Sequence, residues 1–298
     1  MTGLPPWEVD QDITPETAWR GTGPWPFPFT APPPWHPRIG SARSDGPPVH
    51  GAEGSLASVL GDSLWEQHSA WWQRCFTEGA DPEYEEQVLP LVQHRLWGTR
   101  RVLDVGCGEG QVTRCIARLG VEAVGLDPTP SQIRVAHRRG GSACFVRARA
   151  EQLPCPSAAF DAVVLCLALE HVDPFEPAVH EIARVLAPGG LLLLFLVHPL
   201  LQSPGSGWVD DRISGQQFWR VGSYLRDDVA IDEVAPGVKL PFAHRPLSRY
   251  VHVMGEAGLL VEDMVEPSPP PEVLRETGGF PTAPTIPRLM LLCARRTG

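Results

Sequence analysis

Residues 102–110 read VLDVGCGEG. An apolar run ends in Asp104, and glycines follow at positions 106, 108 and 110. So many glycines in one short loop imply a sharp backbone turn or a very close approach to something. What the loop touches decides the rest: a phosphate, a dinucleotide, another ligand, or only its own fold.

The surroundings of the loop set the fold class. From residue 101 short apolar runs alternate with helical patterns. RVLDVG, VEAVGLD, SACFVRA, FDAVVLCLAL and LLLLFLV read as strands. QVTRCIARLG, SQIRVAHRRG and EPAVHEIARVLAPGG read as the helices between them. The runs are apolar throughout rather than alternating, which suits strands covered on both faces. The expectation is an α/β domain with a mostly parallel sheet and helices on both sides. LSRYVHVMGEAG then reads as a helix, and LLVEDMVEP and PRLMLLCARR as a closing antiparallel pair at one sheet edge.

The glycine spacing argues against phosphate. A dinucleotide fingerprint needs G-x-G-x-x-G, but position 111 is Gln. A P-loop needs a lysine after its last glycine, and Lys239 is the chain's one lysine. The loop still lies between a strand and a helix, where open α/β sheets bind ligands. Asp104 precedes the glycines, and a carboxylate there favours a cationic group. Asp127 closes the next strand, and an acid at that point can accept both hydrogen bonds of a ribose diol. A nucleoside carrying positive charge meets both demands. S-adenosylmethionine (SAM) has an ammonium and a sulfonium.

D-V-G-C-G-E-G followed by G-L-D-P resembles the class I SAM-dependent methyltransferases, over about residues 62–298. The resemblance implies a Rossmann-like seven-stranded sheet in the order 3-2-1-4-5-7-6, with strand 7 antiparallel. It implies that Asp104 orients the cofactor's amino-acid end and that Gly106, Cys107 and Gly108 give close backbone approach. Asp127 would hold the ribose hydroxyls, with Pro128 and Gln132 near the adenine. Ala150 and Glu151 would border the adenine edge. Arg149 stands where many relatives have Asp, and an arginine cannot accept the adenine amino hydrogen bond. That partner is then Glu151 or a backbone carbonyl. Carbonyls of Cys166 or Leu167 would face the methionine ammonium. His171, in L-E-H-V, reads as a structural or a catalytic histidine.

The acceptor is expected between residues 62–97 and 198–250. His198 follows strand 5 and His244 opens the next helix. Both are candidate catalytic histidines, with Trp208, Trp219 and Tyr224 as candidate pocket lining. HPLLQSPGSGW, HRPLSRY and VEPSPP resemble uncharacterised small-molecule methyltransferases of this superfamily. The expected reaction is direct displacement at the sulfonium methyl by oxygen or nitrogen of a small molecule. A protein or tRNA methyltransferase and a non-catalytic SAM-binding scaffold are the rivals. A metal is not expected, since no His/carboxylate cluster has ligand spacing.

Composition narrows the partners. The 298 residues carry a net charge of −10, which repels nucleic-acid backbones. The basic run His137–Arg139 fits a helix C-terminus. No stretch approaches the roughly 20 apolar residues of a membrane span. Seven cysteines without a C-x-x-C pair suit reduced thiols and a cytoplasmic setting. The oligomeric state is open.

Residues 1–55 read as a Pro/Trp-rich extension before a methyltransferase domain at 56–298. GTGPWPFPFTAPPPWHPRIGSARSDGPP excludes helix and central strand through its prolines. It reads as a disordered or extended tail, as a strap packed through its aromatics, or as a proline-rich ligand. After it, Asp62 or Ser63 can cap a helix that Gly79 ends. Asp81-Pro82 then starts another, kinked at Pro90.

Overall fold

The computed structural model describes residues 54–211, 213, 216–271 and 285–298. The Pro/Trp-rich extension lies outside the described residues except for its last two, which open the first helix.

Strands β1 (Arg101–Val105), β2 (Glu122–Asp127), β3 (Cys144–Arg147), β4 (Phe160–Cys166) and β5 (Leu186–Val197) run parallel. The edge pair β10 (Leu259–Val265) and β11 (Leu289–Arg296) joins them, with β11 antiparallel to both its neighbours. The sheet order is β10-β11-β5-β4-β1-β2-β3. This is the expected 3-2-1-4-5-7-6 arrangement, read from the other edge.

Alternation of contacts explains the unbroken apolar runs. Val163 and Leu165 join one core with α5 (Glu176–Val185) and α7 (Leu247–Glu256). Ala162 and Val164 join a second core with α2 (Leu89–Arg95) and α3 (Gln111–Ala117). In β5, Leu192, Leu194 and Leu196 face the first core, and Leu191, Leu193 and Phe195 the second. Successive side chains of a strand point to opposite faces, so burial on both leaves no place for a polar residue.

Two local expectations differ from the structure. Helix α1 spans Gly54–Phe76, so Asp62 lies inside it rather than at its cap. Its carboxylate is bonded to Arg149 instead. Helix α5 ends at Val185, because Pro188 brings no N–H and Gly189 has φ +74°. The LAPGG end of that helix pattern thus belongs to the start of β5.

The region after β5 is more regular than its sequence suggests. Short α6 (Pro199–Gln202) leads into a hairpin of β6 (Gly207–Asp211) and β7 (Gln216–Arg220). A second hairpin joins β8 (Asp228–Ala235) to β9 (Val238–His244) through Pro236-Gly237. Strand β9 packs on α1. The Asp81 start is as expected: its carboxylate accepts from Glu83 N at 2.8 Å. A π-helical turn, Tyr84–Val88, then precedes Pro90.

The basic run at the end of α4 (Pro130–Arg139) is structural. Arg139 pairs with Glu109 and Glu78, and Glu109 also holds Arg114 at 2.6 Å. Glu109 is buried, so this network locks the glycine loop to α3 and α4.

Candidate functional site

The loop after β1 spends its own donors on the fold. Gly106 N and Cys107 N both donate to Leu126 O, at 2.8 and 2.9 Å. Gly108 N donates to Asp127 Oδ2 at 2.9 Å, and Gly110 N to Cys107 O at 2.9 Å. A phosphate cradle needs a row of unclaimed N–H groups. This loop has none to give at those four positions, which answers the phosphate question in the negative.

The two acids are differently held. Asp127 accepts from Gly108 N through one oxygen and from Thr129 N at 2.8 Å through the other. It thereby joins the loop to the start of α4. Burial pushes its carboxyl above the usual range. Asp104 is 1% exposed. Its Oδ2 accepts from Thr113 Oγ1 at 2.6 Å, while its Oδ1 is buried without a partner. Burial pushes Asp104 up to about 7. A buried orphan acceptor is costly unless something supplies a donor.

That something has a place to sit. One cavity at the carboxyl ends of β1, β2 and β4 is bordered by Asp104, Gly106, Cys107 and Gly108. Asp127, Pro128 and Gln132 border it as well, as do Ala150, Glu151 and Cys166. The structure thus gathers all ten residues singled out for a cofactor. Glu151 is engaged by Arg149 at 2.8 Å, and Arg149 also reaches Asp62.

Helix α1 covers the cavity and contributes residues that sequence reasoning missed. Trp65, Trp72 and Phe76 line it, as does Tyr84 from the π-helical turn. Trp65 and Trp72 meet edge to face at 5.3 Å. Gln73 Nε2 donates to Gln132 Oε1 at 2.8 Å, and Glu66 accepts from Ser131 N and Oγ. The signal was present: positions 65, 72 and 76 are seven and four apart, one face of a helix. The Tyr84 hydroxyl lies 3.8 Å from Cys166 Sγ, and burial drives both groups well above their usual ranges.

Neither His198 nor His244 borders the cavity. His198 is buried, accepts from Leu200 N through Nδ1 at 3.2 Å, and meets Glu266 through Nε2 at 2.8 Å. It ties the end of β5 to the segment after β10. His244 is also buried, and its Nε2 donates to Tyr224 O at 2.8 Å. Trp208 and Trp219 meet edge to face within the first hairpin. The histidine at the cavity is His171.

Comparison with known proteins agrees with this geometry. Residues 103–194, from β1 to β5, match a family model described as a methyltransferase domain. An uncharacterised methyltransferase of Mycobacterium bovis is 34% identical over 152 residues, 51% of this chain and 58% of that protein. A demethylmenaquinone methyltransferase of Thermus thermophilus is 33% identical over 132 residues, 42% of this chain and 59% of that protein. The matches therefore span less than two thirds of these relatives. Among solved structures, a putative SAM-dependent methyltransferase from Listeria monocytogenes shares the fold, with TM-score 0.60 at 22% identity. That likeness covers 72% of this chain and 98% of the other. The strand order, the acid pair and the matched segment together place in this chain a domain of the class I SAM-dependent methyltransferase family, whose cofactor is SAM.

Proposed function

We propose that this chain is a methyltransferase that moves the methyl group of SAM to an oxygen or nitrogen of a small molecule. One observation carries the proposal. A buried, unpartnered carboxylate oxygen on Asp104 shares a cavity with Asp127 at the next strand end. The first fits an ammonium group and the second a ribose diol. Gly108 leaves open space beside the loop, with no protein atom closer than 3.9 Å to where a Cβ would stand. These features fit SAM, which supplies a methyl group on a positively charged sulfur when bound.

The chain's own residues then have separate tasks. Asp104 holds the amino-acid end, and Cys166 and Leu167, which border the same cavity, offer their carbonyls to the same ammonium. Asp127 orients the ribose while keeping the loop in register. Pro128, Gln132, Ala150 and Glu151 border the adenine. The Trp65, Trp72 and Phe76 face excludes water, which strengthens each charge interaction inside. His198 and His244 hold the region after β5 together rather than meet the acceptor. The Thermus relative is named for demethylmenaquinone, a small molecule, which supports an acceptor of that size class.

Calorimetric titration tests the cofactor assignment. S-adenosylhomocysteine and SAM should bind in the micromolar range, and NAD should give no heat. Asp127→Ala should weaken both by roughly 10- to 100-fold, the worth of hydrogen bonds to a charged group. NAD binding as tight as SAM would sink the proposal, and unchanged affinity in the variant would remove the ribose contact.

A further inference from the structure

His171 lies on the short 3-10 turn Leu169–His171 after β4 and is half-buried at the cavity wall. Its Nδ1 is 2.6 Å from Pro241 O on β9. A carbonyl can only accept, so Nδ1 carries the hydrogen. In a neutral imidazole the lone pair is then on Nε2. Among the described residues Nε2 has no hydrogen-bond partner, and it is not among the buried orphan atoms, so it remains reachable. The ring is held between Trp65, at 4.8 Å, and Phe242, at 4.7 Å. Burial keeps the imidazole neutral, with a pKa held down to about 4. Tautomer, orientation and charge are therefore all fixed by the fold.

The rest of the wall selects what such a base would meet. Among the described residues, Asp62, Asp104, Glu109, Asp127 and Glu151 border the cavity, against one arginine. That arginine, Arg149, is engaged by Asp62 and Glu151. An anionic acceptor would find carboxylates and no cation to spare. Trp65, Trp72, Phe76 and Tyr84 offer flat apolar faces instead.

Building on the methyltransferase assignment above, we propose that His171 Nε2 takes the proton from the hydroxyl of an uncharged aromatic acceptor. The acceptor oxygen bonds to the methyl carbon, and the carbon–sulfur bond breaks with its electron pair left on sulfur. The O–H bond breaks as that oxygen gains positive character, and its proton passes to Nε2. The products are a methyl aryl ether, S-adenosylhomocysteine and an imidazolium that returns its proton to water. A weakly basic imidazole suffices, because a hydroxyl oxygen under methylation becomes a far stronger acid than a free phenol at about 10. An ammonium acceptor would first have to lose a proton at about 10, which this ring cannot drive.

The test uses the full chain, SAM, and four probes at pH 8: 4-ethylphenol, 4-nitrophenol, 4-hydroxybenzoate and benzylamine. S-adenosylhomocysteine formation is followed by mass spectrometry, and SAM affinity by calorimetry. His171→Asn is the variant, since its amide N–H can replace the Nδ1 donor to Pro241. The wild-type chain should methylate 4-ethylphenol in preference to the carboxylate and the amine, and 4-nitrophenol, whose ionised oxygen is itself the nucleophile and needs no base, at a lower but measurable rate. In the variant, turnover of 4-ethylphenol should fall by roughly 10²- to 10⁴-fold, the usual worth of a positioned base. Turnover of 4-nitrophenol, already ionised at this pH, should fall less than about tenfold, with SAM affinity unchanged. Equal losses for both phenols would make His171 a positioning residue and overturn the proposal. SAM binding without methylation of either phenol would overturn the acceptor class while leaving the cofactor assignment standing. Failure of the wild-type chain to bind SAM would overturn both.

Discussion

Asp104→Asn should weaken SAM and S-adenosylhomocysteine binding by about 10²-fold and yet stabilise the ligand-free chain at neutral pH. The loss follows from removing the charge on a buried carboxylate oxygen at the cavity that is left without a partner. A hydrogen bond between charged groups contributes about 1.5–3 kcal/mol, and 1.4 kcal/mol is a factor of ten. The gain follows from linkage. Burial raises the Asp104 carboxyl from 3.8 to about 7. The unfolded chain therefore gives up this proton first as pH rises. Below about 4 both states hold it, and Asp104 contributes nothing to pH dependence. Between about 4 and about 7 each added pH unit favours the unfolded state by about 1.4 kcal/mol. The variant lacks this slope, so its advantage over the native chain should grow to roughly 2–4 kcal/mol at pH 7.

Denaturant unfolding at pH 4.5 and pH 7.5 measures that difference directly. Asp81 and Glu170 are also raised by burial to about 7, but they stay in both proteins and cancel in the comparison. The same shift makes a prediction about binding. An ammonium beside Asp104 favours the carboxylate, so binding at pH 6 should release a proton. Calorimetry in buffers of different ionisation enthalpy would detect it. Undiminished SAM affinity in Asp104→Asn would break the ammonium assignment. A stability gap that does not widen with pH would mean that Asp104 is ionised in the native state throughout.

The sheet and the acid pair were legible in the chain because local rules and tertiary burial agree there. β1, β4 and β5 are buried on both faces along 102–105, 162–166 and 191–196, so those stretches had to be apolar apart from Asp104. Asp104 and Asp127 stood out because an acid ending such a run is out of character with it. The lid was harder. Asp62 looks like a helix cap, and its true partner Arg149 is 87 residues away in sequence. No local rule reports a pairing at that distance. The same holds for His171, whose tautomer depends on a carbonyl 70 residues later. His198 and His244 sat where strand ends meet loops, and only the packing of β9 and Glu266 shows where their rings go. The second hairpin was within reach: DVAIDEVA and VKLPFAH flank Pro236-Gly237, a turn dipeptide between strand-forming runs.

Alanine at Gly106 and alanine at Gly108 should separate what the fold demands of the glycine loop from what a ligand demands. Gly106 has φ +76°, and a Cβ there would lie closer than 3.0 Å to Ala168 Cβ. Ala168 follows β4, so the two loops would be pushed apart at the floor of the cavity. The strain of a left-handed alanine, about 1–2 kcal/mol, adds to roughly 1–3 kcal/mol of overpacking. Gly106→Ala should thus lose about 2–5 kcal/mol of stability, and SAM binding with it. Adding Ala168→Gly should restore the overpacking part and leave the backbone part. Gly108 also has positive φ, +54°, but a Cβ there meets only the tips of Gln132 and Trp72, at 3.9 and 4.0 Å. Gly108→Ala should therefore cost about 1–2 kcal/mol, while its methyl group projects into space that a close-lying ligand would need. Thermal unfolding and calorimetry on the same samples give both numbers. A Gly108→Ala chain that binds SAM like the native one would show that the backbone there keeps its distance from the cofactor. Equal destabilisation by the two alanines would show that the loop is glycine-rich for the fold's sake alone.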